Sequence, residues 1–379
     1  MDFHVWKQDI FQYLKSFSSV TTNKIQPVLQ GVFIEAKDGK ITISGTNLGI
    51  FQTCTIPIND ADLRDNGSVV VNANKLISIL AEARDKDSFH FYTSIHEEPD
   101  TTSVNMLQRT KLHITYNKTN IILNTENSED YPNMPTLENM TTMELNASNF
   151  LFAISKIQFS IFPKRDEKNL NGILMNFKNK NITFASTDMA RMSIFELPYD
   201  YPDEYEDQSI FISKEVISEL QKNLKSSHLF RFSHNDKFLC FQFGEYTIIE
   251  RRKETRFPNV NNLIPTNFIC SFTLNRNDLI SALVTMRLMN PESVFNFEDK
   301  FLVISTMLES IGSIDATAEI ISSEQMDTYK VGLNAVYLSE ILKVIPDEDI
   351  TINFGGDKRP GLIASNNIKA KYIFMPLTL

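Results

Sequence analysis

At 379 residues the chain is too long for one ordinary hydrophobic core, so two or three domains are expected. With 42% hydrophobic and 22% charged residues it has the balance of a globular protein, and no stretch approaches the ~18 consecutive apolar residues of a membrane span. The formal charge of −10 excludes a protein that holds nucleic acid by a general coat of cations, because that affinity comes from neutralised phosphates. Any association with nucleic acid must therefore be local or topological.

Met1 to Lys15 mixes His4, Lys7, Asp9 and Lys15 with its apolar residues and lacks the uninterrupted apolar run of a secretory signal, which points to a cytoplasmic protein. Ile10, Leu14 and Phe17 mark a first amphipathic helix. The alternating segment KITISGTN, Lys40 to Asn47, reads as a half-buried strand, and VVVNANKLISIL, ending at Leu80, as a buried strand running into a helix. Asp38-Gly39 and Asn66-Gly67 are hairpin signals, which favour antiparallel sheets. Strand-like runs then lead to Tyr131-Pro132, where proline, with no N–H to donate, ends a ladder.

The same order then recurs twice. A helix pattern returns at Phe150, Ile154, Ile157 and at Leu279, Leu283, Met286. The alternating strand returns as NITFASTD, Asn181 to Asp188, and more weakly as FLVISTML, Phe301 to Leu308. The strand-to-helix segment returns as IFISKEVISEL, ending at Leu220, and VGLNAVYLSEIL, ending at Leu342. The spans Thr46 to Leu80, Thr187 to Leu220 and Thr306 to Leu342 are nearly equal, and the copies close alike at Phe257-Pro258 and Met375-Pro376. Boundaries near Asn139 and Thr266 give three α+β domains, 1–138, 139–265 and 266–379, each with two helices packed on antiparallel sheets. Units of this size are too large for a solenoid, whose repeats run about 20 to 50 residues.

No phosphate-binding glycine loop, nucleophile elbow or HExxH pair is present, so neither ATP use nor hydrolytic catalysis is expected. Cys54, Cys240 and Cys270 stand singly and read as buried free thiols. His4, His90, His96, His113, His228 and His234 show no ligand spacing, so no metal and no cofactor is expected. The acidic stretch Asp200, Asp203, Glu204, Glu206 and Asp207 sits among Tyr201, Pro202 and Tyr205 and reads as a solvated loop rather than a carboxylate site. Two other classes stay open: a metal-dependent DNA-processing enzyme built on scattered carboxylates, and a peptide-binding scaffold without ring closure.

Six segments carry a family resemblance: LQGVFIE from Leu29 with GTNL from Gly45, EDYPNMP from Glu129, LNGILMNF from Leu170, ASTDMARMS from Ala185, RFPNVNNLIP from Arg256, and YIFMPLTL from Tyr372. In that order and spacing the chain resembles the β sliding clamps of bacterial replicative polymerases, over nearly its whole length. The resemblance implies three tandem DNA-clamp domains per chain, and a head-to-tail homodimer whose six domains close a ring. It implies a non-catalytic processivity factor that encircles duplex DNA without reading sequence. Replicative polymerase, clamp loader and repair proteins would dock in turn through short linear motifs.

By match to the family pattern, the peptide groove would use Leu170, Thr187, Arg191, Met192, Pro258, Leu263, Ile373, Met375, Pro376 and Leu377. Met and Leu suit an adaptable apolar floor, although the same residues would equally serve as plain interdomain core. Met189-Ala190, Asn262 and Thr378 depart from the family's common residues, which puts the peptide preference in doubt. Inner, DNA-facing cations would be drawn from Lys15, Lys24, Lys75, Arg84, Lys156, Lys164, Arg165, Lys222, Lys225, Arg276, Arg287 and Lys343. An acidic exterior would repel DNA from outside while these face phosphates. Leu288 and Met289 are candidates for the contact between subunits.

Overall fold

The computed structural model describes residues 1–23, 25–59, 61–99, 106–164, 170–225, 229–356, 358–365 and 367–378. Its element order repeats three times. The first pass runs β1 (Asp2–Trp6), α1 (Lys7–Ser16), β2 (Gly31–Lys37), β3 (Lys40–Thr46), β4 (Ile50–Pro57), a short β5 (Leu63–Asp65), β6 (Gly67–Asn72), α2 (Ala73–Glu82), β7 (Ser88–Pro99), β8 (Met106–Tyr116) and β9 (Thr119–Asn124). The second is β10 (Thr141–Asn146), α3 (Ala147–Ile157), β11 (Gly172–Lys178), β12 (Asn181–Thr187), β13 (Arg191–Pro198), β14 (Ser209–Ser213), α4 (Lys214–Asn223), β15 (Leu229–His234), β16 (Phe238–Phe243) and β17 (Tyr246–Arg251). A short α5 (Val260–Leu263) leads into the third: β18 (Cys270–Asn275), α6 (Arg276–Met286), β19 (Glu292–Glu298), β20 (Phe301–Leu308), β21 (Gly312–Glu324), β22 (Thr328–Asn334), α7 (Ala335–Val344), β23 (Asp349–Phe354), β24 (Gly361–Ala364) and β25 (Ala370–Phe374). Leaving aside the short β5 and α5, every pass is strand, helix, four strands, helix, three strands.

One local device starts several of the helices. A strand ends in Asn, whose side-chain oxygen accepts from backbone N–H groups of the first helical turn: Asn72 from Lys75, Asn275 from Asn277 and Asp278, Asn334 from Val336 and Tyr337. These donors have no partner within the helix, so the cap supplies about 1 kcal/mol that alanine would forfeit. Behind the caps, the helices send apolar residues inward, among them Leu76 and Leu80 of α2, Leu279 and Leu283 of α6, and Leu338 and Leu342 of α7, all buried.

The residues gather into two compact units. One comprises Met1–Ala147 with Glu215–Arg252, the other Ser148–Lys214 with Lys253–Leu379. The second repeat is thus divided between them, and the sheets explain why. In the first unit an eight-stranded sheet has the order β10-β15-β16-β17-β4-β3-β2-β6, so β17 of the second repeat pairs with β4 of the first. Phe51 faces Ile249 across that seam. A separate five-stranded sheet of this unit runs β5-β1-β7-β8-β9. In the second unit a twelve-stranded sheet runs β14-β11-β12-β13-β25-β24-β23-β18-β21-β20-β19-β22, and β25 of the third repeat pairs with β13 of the second. A half-sheet from one repeat therefore extends a half-sheet from its neighbour, with a five-pair backbone ladder crossing each of these two repeat borders.

Cys54, Cys240 and Cys270 are free and buried. Burial raises the Cys240 and Cys270 thiols to about 11, so both are protonated and unreactive at neutral pH. In the acidic stretch, Lys180 lies 2.8 Å from Asp203, and the Tyr201 hydroxyl donates to Glu206 at 2.8 Å. The rings of Tyr201 and Tyr205 are buried against Phe177.

Candidate functional site

The groove residues inferred from the sequence fall within the second unit, around the β13–β25 seam. Met192 faces Ile373 and Ile373 faces Leu362, while Leu174 faces Ala185 and Ala185 faces Ile194. Side chains of a strand alternate between faces, so these register pairs set one apolar patch on one face of five adjacent strands. The patch is buried, together with Phe211 and Val260. The segment following β17 crosses it: Phe257, Ile264 and Phe268 pack against it half-exposed, and α5 contributes Val260. Asn259 holds α5 by accepting from the backbone N–H groups of Asn261 and Asn262.

The rim is exposed and apolar. Leu263 and Met375 are each 42% accessible and Met189 is 56% accessible, whereas Met192 and Ile373 are at most 5%. Met189 occupies the left-handed region with φ 76° in the turn between β12 and β13, which its β-carbon opposes. Side chains hold it there: the Met189 N–H donates to Thr187 Oγ1, Thr187 Oγ1 donates to the Arg191 carbonyl at 2.7 Å, and Asp188 Oδ1 accepts from the Ala190 and Arg191 N–H groups. The first repeat builds the same turn from Thr46, Asn47 and Leu48, the last at φ 72°. The tail runs past this turn, with the Met375 N–H donating to the Ala190 carbonyl and the Leu377 N–H to the Gly332 carbonyl.

Arg191 has a role that its place in a motif did not disclose. Its guanidinium is buried and fully engaged: Nε is 2.9 Å from Asp188 Oδ2, Nη1 is 2.7 Å from Glu340 Oε2, and Nη2 donates to the Phe159 carbonyl at 2.9 Å. It also lies 4.0 Å from the ring centre of Tyr337 and 5.0 Å from that of Phe159. It thereby ties the β12–β13 turn to α7. Thr187 is buried beside it, and Pro258, Pro376 and Leu377 are half-exposed. Leu170 is buried but lies outside the apolar cluster. Sequence reasoning missed Leu174, Val260, Leu362 and Glu340. The alternation of β11 and β24 marks the first and third as inward-facing, but no local pattern tells which edge a strand will meet.

Of the candidate cations, Lys24 and Arg165 lie outside the described residues. Lys15, Lys75, Lys222 and Lys343 are exposed on α1, α2, α4 and α7, while Arg84, Lys164, Lys225 and Arg287 are exposed at or beyond helix ends. Two others are partly withdrawn. Lys156 donates to the Val344 carbonyl at 2.8 Å beside the Phe152 ring, and burial lowers its pKa from the ordinary lysine value. Arg276 donates to the Ile345 carbonyl. Lys222 is also paired, 2.9 Å from Glu219, and Arg84 lies 3.4 Å from Asp87. Leu288, 77% accessible, projects beyond the end of α6, while Met289 is half-buried.

Comparison with known proteins gives a consistent result. A family model described as the N-terminal domain of the DNA polymerase III beta subunit matches residues 1–135, and one described as its central domain matches residues 144–259. The "Beta sliding clamp" of a Synechocystis strain is 24% identical over 95% of this chain and 95% of its own length. The crystal structure of the DNA polymerase III subunit beta from Pseudomonas aeruginosa superposes with a TM-score of 0.88 at 18% identity, covering 100% of both chains. The beta sliding clamp of C. crescentus, with a polyethylene glycol bound at the region described there as tethering beta motifs, gives 0.87 at 16% identity over 100% of both.

Proposed function

Because the chain belongs to the DNA polymerase III beta subunit family, the beta sliding clamps, we propose that two copies close head to tail into a ring around duplex DNA. The chain is a DNA sliding clamp and a non-catalytic accessory of the replicative polymerase. Its three repeats, 1–138, 139–265 and 266–379, act as three clamp domains, and it works in the cytoplasm. No helix among the described residues is long and apolar enough to cross a membrane.

The observation that carries ring closure is an unfinished series of seams. β17 extends the sheet at β4, and β25 extends it at β13. By repeat position the next pair is β9 with β21, for which no ladder exists among the described residues. Among the described residues β9 ends its sheet with β8 as its only strand partner, and residues 312–318 of β21 pair with β20 alone. A bare edge is a template for another chain. Ile122 on β9 is 52% accessible, Met307 and Ile311 beside the β21 edge are 66% and 72% accessible, and Leu288 beyond α6 is 77% accessible. A heterologous contact of this kind closes if the rotation returns to its start. Replacing Leu288 and Ile311 together by Glu should convert a dimer of the 43.4 kDa chain to monomer in solution. Met189→Lys, in the turn between β12 and β13 and on neither of these edge strands, should leave the mass unchanged. A wild-type chain that is monomeric at micromolar concentration would remove the proposal.

Around DNA, the exposed lysines and arginines at the helices face phosphates without reading bases, and linkage rather than affinity keeps the ring on the duplex. This reconciles the charge of −10 with a DNA partner. The apolar face at β13 and β25, rimmed by Leu263, Met189 and Met375, takes the short linear motifs of the polymerase, the clamp loader and repair proteins in turn.

A further inference from the structure

In the first unit, β1 and β7 pair antiparallel with His4 opposite His90. Asp2 lies two residues before His4 and therefore on the same face of β1. One possible ligand atom from each of Asp2, His4 and His90 lies within 4.8 Å of the other two, the only such group of His, Cys, Asp and Glu among the described residues. Two ligands at i and i+2 of one strand with a third across the ladder make a facial set, which leaves further positions of an ion open to water.

We propose that Asp2, His4 and His90 bind one divalent transition-metal ion of the zinc class. Two imidazole nitrogens and one carboxylate oxygen suit zinc and its neighbours rather than magnesium or calcium, which prefer all-oxygen shells. The imidazoles stack face to face, with ring centres 4.2 Å apart and planes 5° apart. His90 Nε2 is 2.8 Å from Asp2 Oδ1, while His4 Nε2 is buried with no hydrogen-bond partner. An ion would supply that missing partner, replace the Asp2–His90 hydrogen bond and draw the two rings out of their parallel stack. His4 also lines a cavity of about 400 Å³, together with Asp9, Asp62 and Glu245. Bound metal would fasten β1 to β7 and, because it binds only the folded arrangement, would raise stability.

The test uses the full chain without a histidine tag. Zinc titrated calorimetrically at pH 7.5 should bind one ion per chain and raise the melting temperature, and cobalt should give the visible absorption of a mixed nitrogen and oxygen shell. His4→Gln and His90→Gln should each weaken zinc by about tenfold or more, and Asp2→Asn by somewhat less. Near-UV circular dichroism of the metal-free variants should match wild type. The wild-type cobalt spectrum decides the matter even if a variant misfolds. No uptake by wild type at about 100-fold molar excess, an unchanged affinity in His4→Gln or His90→Gln, or loss of binding on replacing His96 and His113 instead would each overturn the site.

Discussion

Arg191→Met should lower the unfolding free energy of the second compact unit by about 3 kcal/mol, the range for breaking a buried ion pair by removing one partner. Methionine keeps most of the bulk, so the loss reports the charge rather than a cavity. Asp188, 9% accessible, would be left as an uncompensated buried carboxylate, and the Phe159 carbonyl would lose its donor. Glu340, at 38%, would be rehydrated and contribute little. Adding Asp188→Asn should recover part of the loss, because the amide oxygen can still accept from Ala190 and Arg191 while the charge is gone. Urea unfolding, with hydrogen exchange read in β13, β25 and α7, checks it. A change below about 1 kcal/mol would mean that the arginine is not the tie between the β12–β13 turn and α7.

The second large effect concerns the tail. Removing residues 375–379 should weaken binding of a short clamp-binding peptide by at least about 100-fold, the scale at which a docking site loses its anchors. Dimerisation should survive, because the bare edges at β9 and residues 312–318 of β21 are untouched. The deletion also removes the Met375 and Leu377 backbone hydrogen bonds, so Met375→Asp serves as the milder variant and should cost about tenfold by placing a charge on the apolar rim. Fluorescence anisotropy with a labelled peptide reads both. Unchanged affinity in the deletion would take the groove away from β13 and β25.

Much of the fold is legible in the sequence because each repeat carries its own local signals. The run VVVNANKL announces a buried strand, an Asn cap and a helix, and Asn72 performs that cap. KITISGTN and NITFASTD announce the strand and turn that Thr46 and Thr187 close in the same way. The fusion of half-sheets across repeat borders is not legible, because alternation tells which face of a strand is apolar and not which edge it meets. Hence Met192 reads as an apolar floor, but its facing of Ile373, far along the chain, has no local sign. Arg191 reads as a groove residue, whereas its partners on α7 appear only once the third repeat folds against the second. The Asp2, His4 and His90 group was invisible for the same reason: its third member arrives by strand pairing, and no spacing motif encodes it.

The claim on which the account rests is that the chain holds DNA by topology. Protein loaded onto nicked circular DNA and separated from free protein by gel filtration measures this directly. Retention on the circle with loss after a single cut linearises it is the predicted result. Equal retention or equal loss before and after cutting would contradict it.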